Sequence, residues 1–154
     1  MNMQSPAGDT AFTLSDIRFK EVLNIGSLQI EACRVSTIVG PSGGGKTTLL
    51  RILNRMTSPD SGRVLFFGEP VEEMDPVQLR RRVIMLTQMP VIFPGTVQEN
   101  LLIGSRLAEK KEPTPDEVQA IMNRVGLDKE LSADAGQLSG GEKQRLALAR
   151  VMLM

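Results

Sequence analysis

The pattern of apolar and polar positions changes period along the chain. Residues 12–19 and 25–30 carry short extended-type runs and are read as strands. The run Arg34-Val35-Ser36-Thr37-Ile38-Val39 is β-branched and mostly apolar and stops at Gly40, which predicts a buried strand entering a tight turn. From Thr47 to Met56 the period becomes helical, with Leu49, Leu50, Ile52, Leu53 and Met56 on one face and Ser58-Pro59-Asp60-Ser61-Gly62 as the stop. Residues 64–67 read as a strand closed by Gly68. Asp75 caps a helix that has Pro76 in its first turn and runs toward Arg82, and residues 83–87 form another short apolar strand. Pro90 and Pro94 break the chain. Thr96 then caps a helix over 97–103, residues 107–113 are charged and exposed, and 115–125 is helical. The last signal is Ser139-Gly140-Gly141 before a helix-favouring run over 142–154.

Residues 1–12, polar and small, are expected to be a flexible leader. At 154 residues and 41% hydrophobic content the rest suffices for one core, and one domain is expected over 13–154, with a helical subdomain over about 90–138. Lys plus Arg equals Asp plus Glu at 18 each, so no net field draws the chain to nucleic acid or an anionic surface. Histidine is absent, which excludes imidazole bases, the Ser-His-Asp triad and histidine-ligated metals. One cysteine, Cys33, excludes an intrachain disulfide and fits a reducing compartment. With no apolar run long enough to span a bilayer and no signal-peptide pattern, a soluble cytoplasmic chain is expected, meeting a membrane only through a partner.

Against this even background one segment stands out. Gly40-Pro41-Ser42-Gly43-Gly44-Gly45-Lys46-Thr47 matches G-x-x-x-x-G-K-[ST] and lies between a predicted strand and a predicted helix, the context the pattern requires. Glycines let successive backbone N–H groups turn inward on phosphate oxygens, and the following helix offers its positive end to the same anion. Lys46 adds a full charge near the β- and γ-phosphates, and the Thr47 hydroxyl is suited to Mg²⁺, a hard ion that prefers oxygen. Thr48 follows in the same helical turn.

A phosphate loop alone leaves kinases, GTPases and motor ATPases open. Leu138-Ser139-Gly140-Gly141-Glu142-Lys143-Gln144-Arg145 narrows the choice, because it resembles the signature motif of ATP-binding cassette proteins. The resemblance runs from about Leu14 to Met154, with GPSGGGKTTLL and LSGGEKQRLALAR as its anchors. It implies an α/β fold: a P-loop NTPase core with a mostly parallel sheet, N-terminal antiparallel strands and a helical subdomain, here incomplete at the C-terminus. It also implies ATP and Mg²⁺ as cofactors and head-to-tail pairing with a second cassette. Each ATP would then lie between one subunit's P-loop and the other's Leu138, Ser139, Gly140, Gly141, Glu142 and Gln144. Gln88 resembles the family's Q-loop glutamine, which contacts Mg²⁺ and the attacking water and relays nucleotide state to a transmembrane permease. Residues 91–100 resemble the surface that meets that permease, with an ordinary loop packed on its own domain as the competing reading. Phe19 is the candidate for the aromatic stacked on adenine, with a core phenylalanine as the competing reading.

The chain departs from the family pattern in ways that matter. Complete cassettes continue into a strand ending in Asp-Glu and then to a switch histidine, whereas here no carboxylate follows Glu142. The expectation is therefore a part of a transporter cassette, peripheral to the inner face of the plasma membrane through its permease, that binds nucleotide poorly and does not turn it over alone. A soluble cassette ATPase and a non-catalytic ATP-binding module are the alternatives, with a P-loop kinase more remote because it leaves the signature unexplained. Nucleic acid is not expected as a partner, the triplet Arg80-Arg81-Arg82 being read as a solvated helix face.

Overall fold

The computed structural model describes residues 10–154, so most of the expected leader lies outside the described residues; residues 10–12 belong to the first strand. The chain divides into two compact units, Met1–Met85 and Leu86–Met154.

In the first unit, β1 (Thr10–Phe19) and β2 (Leu23–Glu31) form a hairpin with Leu14 opposite Leu28 and Ile17 opposite Ile25. β1 also pairs antiparallel with β3 (Ser61–Phe66), and β3 pairs with the two-residue β4 (Glu69–Pro70), giving the order β2-β1-β3-β4. The inward alternation of Phe12 and Leu14 slips by one before Ile17. The slip is a bulge: three steps of β1 from Ser15 to Arg18 face two on β3, and Asp16 takes φ 53° to absorb the extra residue. Gly62 fits against it because a Cβ there would stand 2.5 Å from the Asp16 carbonyl oxygen. Helix α1 (Lys46–Leu53) lays Leu49, Ile52 and Leu53 against Phe12, Leu14, Ile17, Val64 and Phe66, joined by Leu79 of α2 (Pro76–Arg82). Each such fully buried aliphatic side chain contributes about 1.5–3 kcal/mol. Asp75 caps α2 as expected, accepting from the Val77 and Gln78 N–H groups.

Two expected strands do not form. Residues 34–40 run as irregular chain with Val35 98% and Val39 85% exposed, and residues 83–87 likewise join no ladder. The α/β class holds, but the sheet in the described residues is antiparallel throughout. A β-branched apolar run becomes a strand only when a neighbour supplies the other half of its hydrogen bonds, and no described segment of these 154 residues does so.

The second unit is helical: α3 (Val97–Leu107), α4 (Pro115–Val125), a 3₁₀ turn (Ala135–Gln137) and α5 (Gly140–Met152). Thr96, Thr114 and Ser139 each close a capping box, with Glu99, Glu117 and Glu142 returning the bond. α3 extends four residues beyond its expected end at 103, and α5 starts two residues before the expected 142. Val97, Leu101, Met122, Leu138, Leu146 and Ala149 form the core, which makes the signature helix a structural member of the helical unit.

Candidate nucleotide-binding site

The candidate residues fall into two sets, one in each unit. In the first, Gly40, Pro41, Ser42, Gly43 and Gly44 are exposed, and the loop turns on left-handed glycines, Gly43 at φ 78° and Gly45 at φ 79°. Gly45 is the N-cap of α1 and offers no side-chain acceptor, so the first N–H groups of the helix are left for another ligand. Its lack of a Cβ is needed twice: for the dihedral, and because a Cβ would come within 2.5 Å of Leu23 at the start of β2. The Lys46 ammonium bends back over the loop and donates to the carbonyls of Gly40 at 2.9 Å and Pro41 at 2.6 Å. Thr47 is exposed one residue further on, and Thr48 is half-buried.

Phe19 closes β1 at the turn that reaches Gly45, with its carbonyl accepting from Val22 N–H. Its ring is partly buried against the first core and carries the Lys20 ammonium 5.4 Å from its centroid. The ring serves the first core.

The signature residues open α5. Leu138 is buried in the helical core, while Ser139, Gly140 and Gly141 are exposed. The Ser139 hydroxyl accepts from Glu142 N–H, and the Glu142 carboxylate accepts from Ser139 N–H at 2.8 Å and pairs with Lys129 at 3.1 Å. The Ser139 N–H, followed by the Lys129 ammonium and the Ser139 hydroxyl, holds the Glu142 carboxyl at about 2, below its ordinary 4.5. Both Glu142 carboxylate oxygens are therefore engaged, one in this cap and one with Lys129. Gln88 is exposed in the loop after residue 87 and lines a cavity of about 410 Å³ with Leu86, Gly141, Gln144, Arg145 and Leu148. Gln88 and the signature helix therefore line one cavity, which their 50-residue separation in sequence did not reveal.

Sequence reasoning missed Asn100 and Arg150. Asn100 is wholly buried in α3 between Val97 and Leu101. A lone amide between Val97 and Leu101 is the signal by which it could have been found, since a buried amide must be hydrogen-bonded.

A family model described as ABC transporter matches residues 23–154. The chain belongs to the ABC transporter family. It is 43% identical over 139 residues to Protein STAR1 of rice (Oryza sativa subsp. japonica), covering 90% of this chain and 40% of that protein. It is 39% identical over 145 residues to the phosphate import ATP-binding protein PstB of Pyrobaculum aerophilum, covering 86% of this chain and 58% of that one. A bacterial Atm1-family ABC exporter solved with ATP bound superposes with a TM-score of 0.80 at 28% identity, over 99% of this chain and 29% of the exporter. This ABC chain thus spans less than two thirds of the length of these relatives. The part it matches is the ATP-binding component of such transporters, and ABC ATP-binding domains bind ATP. No described helix is long and apolar enough to cross a membrane.

Proposed function

We propose that this chain carries the phosphate-binding and signature elements of an ABC transporter's ATP-binding subunit, which binds MgATP and, when complete, hydrolyses it to move a solute through a transmembrane permease. The observation that carries the reading is the glycine-capped start of α1: an exposed loop with two left-handed glycines, an uncapped helix end, and Lys46 held by neutral carbonyls alone. A charge held only by neutral oxygens is ready to exchange them for a phosphate, and the residues present fit that group. Gly40, Pro41, Ser42, Gly43, Gly44, Gly45, Lys46, Thr47 and Thr48 would hold the phosphates, with Phe19 toward the base and Thr47 toward Mg²⁺; for Gln88 a part in holding the ion is what the family resemblance implies. A bound Mg²⁺ would neutralise part of the phosphate charge.

In this reading Ser139, Gly140 and Gly141 serve a second ABC subunit's nucleotide in a head-to-tail dimer, and the subunit sits on the cytoplasmic face of the membrane through its permease. Hydrolysis needs a carboxylate and a switch group that the family pattern puts beyond the signature helix, and these 154 residues supply neither. Calorimetry of MgATP on this chain and on Lys46→Ala tests the proposal. Saturable binding that Lys46→Ala abolishes supports it, while absent binding, or equal binding by both proteins, overturns it.

A further inference from the structure

The C-terminal turn of α5 carries Arg150, the last residue of the LSGGEKQRLALAR anchor and one to which no role has been attached. The Arg150 guanidinium donates from Nε to the Asn100 carbonyl at 2.8 Å, from one terminal nitrogen to the Val91 carbonyl at 2.9 Å, and from the other to Asn100 Oδ1 at 2.9 Å. It also lies 5.0 Å from the centroid of the Phe93 ring. Asn100 in turn takes the Phe93 N–H on Oδ1 at 2.9 Å and donates to the carbonyls of Phe93 at 2.8 Å and Thr96 at 3.0 Å. Every acceptor of Arg150 is neutral, and the side chain is half-buried. Burial lowers its pKa from the ordinary arginine value. An ion placed this way costs desolvation without a counter-charge, so its contribution lies in the geometry of the three-pronged attachment.

That geometry has a consistent direction. Arg150 grips the chain three residues past Gln88, while the opposite end of the same helix presents Ser139, Gly140 and Gly141, and Gln88 lines one cavity with Gly141 and Gln144. We propose that Arg150, seated by Asn100, is a positioning residue that fastens the segment 88–96 to α5, so that a displacement of that segment is delivered to the signature motif as a rigid movement. The meaning of this movement for transport rests on the transporter reading above; the attachment itself does not. Lysine cannot replace the fork, because one ammonium on a flexible stem does not hold acceptors on two segments in fixed directions.

The test is a pair of spin-label distances in the chain carrying Cys33→Ser. One pair, at Met89 and Lys143, spans the attachment; a control pair, at Gln119 and Lys143, spans α4 and α5, which share a core without Arg150. In Arg150→Lys the first distance distribution is expected to widen about twofold while the control stays narrow, the mark of local release without loss of the unit. Phe93→Leu, which removes the ring and leaves the hydrogen bonds, is expected to widen the first pair by less. An unchanged first pair overturns the proposal, and so does equal broadening of both pairs, which would make Arg150 a general support of the fold. MgATP binding is measured on the same proteins. Failure of the parent chain to bind would overturn the transporter reading while the distances still decide the attachment.

Discussion

The two units of this chain use their apolar residues in opposite ways. In the second, every helix starts with its own capping box and turns its apolar face onto a common core, so Leu101, Met122 and Leu146 are essentially inaccessible. In the first, the segment leading into the phosphate loop is as apolar as any strand, yet Val35 and Val39 stand in solvent. A helix draws its hydrogen bonds from residues four positions away, whereas a strand depends on a partner that is distant in sequence. Local signals are therefore honoured wherever they occur, and strand signals only where a neighbour is present.

This contrast can be broken or sharpened by substitution. The largest effect is expected from Leu146→Ala, which should destabilise the helical unit by about 2–5 kcal/mol in urea denaturation, while Val39→Ala should change stability by less than about 0.5 kcal/mol. Equal effects would mean that residues 34–40 are packed in solution. Next comes Gly62→Ala, where the new Cβ meets backbone at the Asp16 bulge and φ is 97°. A loss of about 1–3 kcal/mol is expected, read by denaturation of the first unit, and a neutral outcome would show that the bulge is free to move. Ser139→Ala removes a side-chain cap and should cost the helical unit about 1 kcal/mol, without changing MgATP binding by the Lys46 loop.

The smallest effect concerns pH. The Glu142 carboxyl is held at about 2 in the folded chain against an ordinary 4.5. Its contribution is fully present above pH 4.5 and is lost as pH falls toward 2, because the unfolded chain takes up the proton first. Glu99 and Glu117, lowered chiefly by the N–H groups of Thr96 and Thr114, add slopes of the same sign. Denaturation midpoints at pH 6 and pH 3 should fall less in Glu142→Gln than in the parent, and an identical fall would remove Glu142 from the account.

Much of the site was legible because its chemistry is local. A loop of glycines ending in Lys46 and Thr47 must turn on left-handed dihedrals and free its N–H groups, and eight consecutive residues contain everything that this requires. The same holds for Ser139 and Glu142, whose spacing alone specifies a capping box. Asn100 and Arg150 were not legible in this way: an amide on α3 and a guanidinium on α5 acquire meaning only when the two helices pack and the loop at Phe93 closes over them. The shared cavity of Gln88 and Gly141 was hidden for the same reason.

The phosphate loop, the signature, the capped helix starts at Asp75 and Thr96 and the membership that these motifs carry were readable along the chain, because each rests on interactions within about four residues. Only the tertiary structure decided which apolar runs become strands, which arginine is buried and what it holds. Those outcomes depend on partners tens of residues away, and a linear pattern states the preference of each residue without stating what will stand beside it.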